Sequence, residues 1–199
     1  MISNFLHEPD AVVSPSAFVG EGTKVWGLAQ IRENVSIGSH CVIGRGAYVG
    51  AGVEIGDNCK IQNDALIYEP ARLGDGVFVG PGSVLTNDKS PRAVNPDSTQ
   101  KTVADWEPAG VVVETGASIG ARAVCIAPVI IGAWSMVAAG AVVTKDVAPF
   151  ALVQGVPAQQ TGWVGRAGRP LQKSGNRFVC QVTGEVYEEV SGSLRLMES

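Results

Sequence analysis

Residues 35–56 read VSIGSHCVIGRGAYVGAGVEIG. An aliphatic residue recurs in this stretch every six positions, at Ile37, Ile43, Val49 and Ile55. Stepping by six in both directions holds the register from Val13 to Leu85, thirteen consecutive positions that are all aliphatic. The register resumes at Val113 and runs through Ile119, Cys125, Ile131 and Val137 to Val143. Two positions earlier sits a second column of compact residues, among them Cys41, Ala47, Val53, Cys59, Ala65 and Ala71. Glycine often follows the aliphatic position, as at Gly38, Gly44, Gly50 and Gly56.

A period of six matches neither an amphipathic helix nor an uninterrupted strand. It matches a short strand followed by a corner. Residues two apart on a strand face the same way, so both columns point inward. Three such faces close a triangular coil of about 18 residues, and stacked coils are spaced about 4.8 Å apart. Nineteen hexads predict a little over six coils in an all-β prism. Cys41 and Cys59, 18 apart in one column, are expected to stack as small core residues. The spacing leaves the hand of the coil open.

The register fails between Leu85 and Val113, and about 22 residues are extra there. An excursion from a rigid solenoid is a place where function collects. After Val143 the hexads end, and residues 177–196 alternate like strands around Thr183-Gly184 and Ser191-Gly192-Ser193. The expected organisation is a β-helix over residues 10–160 with an insertion at 86–112, then an extension over 161–199. That extension holds a connector and a small β meander packed against the prism.

Apolar residues make up 45% of the 199 and charged residues 17%, with a formal net charge of −4. This is a globular composition. No basic run points to nucleic acid, and no apolar run is long enough to span a bilayer. Residues 1–10 do not read as a signal peptide. The four cysteines form no C-x-x-C pair, which points to reduced core residues, a cytoplasmic location and no metal site.

Three segments carry a family resemblance. The first is Lys60-Ile61-Gln62-Asn63 with Tyr68-Glu69. The second is Gly80-Pro81, Thr86-Asn87 and Pro91-Arg92-Ala93. The third runs Gly140-Ala141-Val142-Val143-Thr144-Lys145-Asp146-Val147, then Gly155-Val156-Pro157-Ala158 and Gly162-Trp163-Val164. Together with the hexads they resemble the nucleotide-sugar 3-amino-N-acetyltransferases of the hexapeptide-repeat superfamily, over about residues 10–168. The third segment is shared across that superfamily; the first two are more specific. The resemblance implies a left-handed parallel β-helix, a homotrimer, and acetyl-CoA bound between subunits. It also implies transfer of acetyl to the 3-amino group of a UDP- or dTDP-linked sugar, in cell-surface polysaccharide or glycoside biosynthesis. Val156 departs from the asparagine that many relatives carry there.

Amide formation from a thioester needs a neutral amine held against the carbonyl carbon, donors for the developing oxyanion and an acceptor for the amine proton. The superfamily's usual base is histidine, but this chain has only His7 and His40, both outside the excursion. A zinc hydratase on the same prism needs three histidines and is excluded on that count. Asn87 opens the excursion. Its amide oxygen can accept from the amine and orient its lone pair, while the leaving thiolate receives the proton. Glu69 and Asp88 are the alternative bases. Gln62, Asn63, Tyr68 and Arg92 are the candidates for the nucleotide-linked amino sugar, Arg92 through a diphosphate. Gly140, Ala141 and Lys145 are those for the cofactor. An O-acetyltransferase or a non-catalytic scaffold of the same fold are the competing readings.

Overall fold

A computed structural model describes residues 5–197. Short strands wrap the chain into a left-handed parallel β-helix with three faces. The first face stacks Leu6–His7, Lys24–Val25, Val42–Ile43, Lys60–Ile61, Phe78–Val79, Ser118–Ile119, Met136–Val137 and Ala151–Gly155. The second stacks Val12–Val13, Gln30–Ile31, Tyr48–Val49, Leu66–Ile67, Val84–Leu85, Val124–Cys125 and Val142–Val143. The third stacks Phe18–Val19, Ser36–Ile37, Glu54–Ile55, Arg72–Leu73, Val111–Val113 and Val129–Ile131. The first corner joins faces one and two, the second corner faces two and three, and the third corner faces three and one.

Away from the excursion and the upper end, each strand residue pairs with the one 18 positions on, as Lys60 does with Phe78 and Ile67 with Leu85. Both inward columns are buried along the prism, Ile37, Ile43, Ile61 and Ile67 completely. Full burial of such a side chain stabilises by roughly 1.5–3 kcal/mol, and the stack repeats it on every rung. Cys41 and Cys59 stack as expected: the Cys59 N–H donates to Cys41 Sγ at 3.3 Å, and both thiols are free. Burial pushes the Cys125 thiol up to about 12. The corners require glycine where backbones meet. A Cβ on Gly56 would lie 2.8 Å from both the Asp75 nitrogen and the Gly74 carbonyl carbon.

The prism is taller than the hexad count suggested. Its first face has eight parallel strands, because coiling starts one hexad earlier, at Leu6–His7, and ends one strand later, at Ala151–Gly155. The polar His7 interrupts the aliphatic column at the lower end. At the upper end the phase slips: Val147 bridges Ile131, and Val153 pairs with Val137. A tighter turn replaces a full hexad there.

Leu73 pairs with Val113 rather than with residue 91, so 22 residues are looped out. The excursion is tied at its neck, where the Ala109 N–H donates to the Asn87 carbonyl at 3.1 Å. Further out, Val94 and Gln100 form an antiparallel bridge. A 3-10 turn follows at Val103–Asp105, with Asp105 closing a capping box on Thr102.

Beyond the prism, Ala158–Trp163 runs antiparallel to Ala151–Gly155. A four-stranded meander follows: Gln172–Ser174, Arg177–Val179, Val186–Val190 and Ser193–Leu196. Its buried Phe178, Cys180, Tyr187 and Leu194 pack with Phe150, Trp134 and Trp163 at the upper end of the prism. The Tyr187 hydroxyl donates to Glu185 Oε2 at 2.7 Å and accepts from the Arg166 N–H at 3.0 Å. No helix of the described residues is long and apolar enough to cross a membrane.

Candidate active site

The 18-residue register sorts the candidate residues onto two corners. Ile67 pairs with Leu85 and Cys125 with Val143. Two residues beyond each pair, the second corner carries Glu69, then Asn87, then Ala127, then Lys145. Asn87 is therefore one rung above Glu69, and Lys145 two rungs above Asn87, about 10 Å at ladder spacing. The first corner carries Gln62, Asn63 and, three rungs above Asp64, Gly140. Within one chain the second face separates the two sets.

Glu69 folds down over Gly50, where a Cβ would run into its carboxylate. Its Oε2 is covered and has no hydrogen-bond partner among the described residues. A covered carboxylate oxygen without a donor is costly. Tyr68 stacks at 5.3 Å on Tyr48, which projects outward from the second face one rung lower. Thr86 Oγ1 takes the Ala127 N–H at 3.0 Å and fixes the start of the excursion. Asp88 is already committed: its Oδ1 accepts the Ser90 N–H at 2.8 Å. Arg92 is exposed on the excursion and bonds only the Pro91 carbonyl among the described residues. Lys145 is exposed.

The corners differ in how their backbone is capped. On the third corner, Asp57 Oδ1 accepts the Ser39 N–H at 2.7 Å and Asp75 Oδ1 the Asp57 N–H at 2.8 Å. Asn63 does the same on the first corner, accepting the Arg45 N–H at 3.0 Å, so its oxygen already has a structural task. Above Asn63 the equivalent positions are Pro81, Ala121 and Ala139, which carry no side-chain acceptor. The N–H groups of Asn63, Ala121 and Ala139 consequently find no acceptor among the described residues. They edge a groove of about 660 Å³ lined by Asn63, Asp64, Pro81, Gly82, Ala121, Arg122, Ala139 and Gly140. Gly140 has φ +71°, and a Cβ there would meet nothing within 4 Å, so this wall is open. Ala141 is different. Its side chain is buried in the core, its N–H bonds the Ala138 carbonyl, and its own carbonyl accepts from Val124. Ala141 can therefore support the groove but offers it no free group.

Residues not singled out in the sequence also belong to these corners. Arg122 lines the groove, and Arg32 with Glu33 sits on the second corner below Tyr48, joined at 3.0 Å. The 18-residue spacing from Glu69 through residue 51 to Glu33 was the available signal. His40 is exposed on the third corner and His7 exposed on the first face, away from both sets. Among the described residues, no three His, Cys, Asp or Glu side chains gather closely enough to hold a metal ion.

Two family profiles match this architecture. The one described as bacterial transferase hexapeptide (six repeats) matches residues 16–51 and 52–87. The one described as hexapeptide repeat of succinyl-transferase matches 34–69 and 110–145. Between them they cover more than half of the chain. The protein belongs to the bacterial hexapeptide-repeat family. This hexapeptide-repeat protein is 43% identical over 81 residues to the dTDP-3-amino-3,6-dideoxy-alpha-D-galactopyranose 3-N-acetyltransferase of Aneurinibacillus thermoaerophilus. That match takes in 41% of this chain and 42% of the relative, so it spans under half of the relative's length. Among solved structures, a hexapeptide transferase family protein from Anaplasma phagocytophilum is similar, with a TM-score of 0.52 at 18% identity. The match covers 83% of this chain and 87% of that one. A serine-to-alanine mutant of AntD, an N-acyltransferase from Bacillus cereus in complex with dTDP-4-amino-4,6-dideoxyglucose and coenzyme A, gives a TM-score of 0.51 at 19% identity. It covers 83% and 86% of the two chains. Likeness at this level of identity supports the fold.

Proposed function

We propose that this protein is an N-acetyltransferase that moves acetyl from acetyl-CoA to the 3-amino group of a UDP- or dTDP-linked sugar. The observation that carries the proposal is the second-corner column. It holds an amide side chain, Asn87, at the neck of the excursion and a covered, unpartnered carboxylate oxygen, Glu69 Oε2, one rung below. The substrate named for the 43%-identical relative agrees with it.

The groove on the first corner suits the carrier. Open backbone N–H groups along a wall of proline, alanine and glycine can receive the amide carbonyls of an extended pantetheine arm, and the small side chains let it lie close to the backbone. Arg122 stands in the same groove two rungs above Asp64, in no ion pair among the described residues, a position suited to a phosphate.

At the second corner, the Asn87 side-chain oxygen accepts one hydrogen bond from the amine and turns its lone pair toward the thioester carbonyl. The nitrogen attacks, a C–N bond forms and the C–S bond breaks. Glu69 takes the amine proton and passes it to the departing thiolate. Glu69 suits this role better than Asp88, whose carboxylate already holds the Ser90 N–H.

The split of the candidate residues over two corners supports a homotrimer. Leu66, Val84, Val124 and Val142 form a row of outward aliphatic residues along the second face. Packing this row, above Tyr48, against neighbouring copies would bring the groove of one subunit to the second-corner column of the next. The test is direct. Incubation with acetyl-CoA and a UDP- or dTDP-linked 3-amino sugar should add one acetyl group to the sugar, read by mass spectrometry. A full panel left unmodified would remove the proposal.

A further inference from the structure

Immediately below the proposed chemistry the surface turns aromatic at one place, where Tyr48 on the second face meets Tyr68 on the second corner. Tyr48 and Tyr68 sit there with ring centroids 5.3 Å apart and planes tilted by 46°. Both rings are half-buried. The Tyr48 hydroxyl reaches the next corner residue down, accepting from Arg32 Nη1 at 3.4 Å. Arg32 is in turn held two-pronged by its neighbour: Nε to Glu33 Oε2 at 3.0 Å and Nη2 to Glu33 Oε1 at 3.4 Å. The side chains of this pair remain 40% and 53% exposed. That leaves an aromatic surface of two inclined rings ending in a partly exposed cation–anion pair.

The chemistry of that pair narrows what it would bind. Glu33 offsets the charge of Arg32, so a phosphate gains little there. The pair offers a donor beside an acceptor. A neutral planar ring with an acceptor beside a donor on one edge matches it, and the imide edge of uracil or thymine is such an edge. The tyrosines supply the stacking surface, which is sequence-tolerant by itself, and the Arg32–Glu33 pair supplies the selection. The location fits too. Arg32 lies three rungs below the start of the excursion at Thr86 and Asn87, about 14 Å at ladder spacing, room for a sugar and a diphosphate between the reacting amine and a base.

We infer that Tyr48, Tyr68, Arg32 and Glu33 form the nucleobase subsite of this protein and select a uracil or thymine ring. This rests on the nucleotide-sugar reading above for its substrate, but its test does not require acetyl transfer. Calorimetric titration of the full-length protein with UMP, dTMP, CMP and AMP, without acetyl-CoA, measures the subsite alone. UMP and dTMP should bind at least about ten-fold more tightly than CMP and AMP. Tyr48→Ala should weaken UMP binding by about ten-fold, the loss of one stacking contact, while Tyr48→Phe retains it. Glu33→Gln should erase the preference for UMP over CMP, because an amide can donate to the cytosine ring nitrogen. Thermal unfolding of each variant controls for folding.

Equal affinity for UMP and CMP, no saturable UMP binding, or an unchanged UMP affinity in folded Tyr48→Ala would each overturn the inference. The two readings fail separately. UMP binding that depends on Tyr48, with no acetylation of any amino sugar, leaves the subsite standing and removes the acetyltransferase. Acetylation with UMP affinity indifferent to Tyr48 does the reverse.

Discussion

Asn87 stands one rung directly above Glu69 on the second corner, because Ile67 and Leu85 are paired two residues before them. The ladder thus sets an amide over a carboxylate where the chain leaves the prism. If the amide positions the amine and the carboxylate takes its proton, the two residues fail differently. Glu69→Gln should lower kcat by about 100-fold, the scale of a lost general base, with little change in the KM for acetyl-CoA. Asn87→Ala should lower kcat and also raise the KM for the amino sugar. Asp88→Asn should leave both within about two-fold. Steady-state kinetics of the three variants checks this.

The open N–H groups of the first corner can be closed by design. Asn63 caps Arg45 from one rung above, and Ala139 occupies the same position relative to Ala121. Ala139→Asn should therefore cap the Ala121 N–H. Thermal stability should hold or rise, by up to about 1 kcal/mol for one added hydrogen bond, while acetyl-CoA binding weakens by at least ten-fold. Calorimetry with CoA alongside thermal unfolding separates the two effects.

The meander carries an alkaline signature. Burial, reinforced by the neighbouring Glu185, pushes the Tyr187 phenol up to about 12, against an ordinary value near 10. Between those values the folded chain holds a proton that the unfolded chain has lost. The stabilisation is whole below about pH 10 and disappears as pH rises toward 12. Tryptophan fluorescence of Trp163, which packs edge-on against Phe178, should report loosening in that window. Tyr187→Phe should abolish the pH dependence and cost about 1 kcal/mol at neutral pH, since it strands the Arg166 N–H.

The excursion should loosen at the opposite end of the scale. The Thr99 hydroxyl and N–H hold the Asp97 carboxyl below its usual range, and the Thr102 N–H and hydroxyl do the same for Asp105. A depressed carboxyl contributes stability above its unfolded value, near 3.9, and loses it as pH falls through the lower folded value. Hydrogen-exchange protection over residues 93–105, taken relative to the intrinsic rate at each pH, should fall below about pH 4 while the prism strands stay protected.

The prism is legible in the chain because its cause is local and repeated. Every sixth residue must be aliphatic to fill the interior, so Val13 to Leu85 states the fold outright. The ends are not legible, since His7 breaks the column and the Val143–Val153 turn shortens a coil through hydrogen bonds rather than through hydrophobic pattern. Asn87 and Glu69 can be picked out, and the 18-residue period even puts them in one column. The task of Asn63 cannot be foreseen, because an asparagine capping a corner and one awaiting a sugar look alike in sequence. Ala141 is hidden for a related reason: it belongs to the inward column, so its place in a shared motif reflects packing. Tyr48 occupies an outward strand position that carries no motif, and only its contact with Tyr68 shows a platform.

The decisive measurement is thiol release from acetyl-CoA in the presence of paired UDP- and dTDP-linked sugars that differ only in bearing an amine or a hydroxyl at carbon 3. The amine-bearing member of at least one pair should release thiol in proportion to acetylated product, and its hydroxyl partner should stay at background. Equal release from both members, or none from any amine, would contradict the acetyl-transfer account.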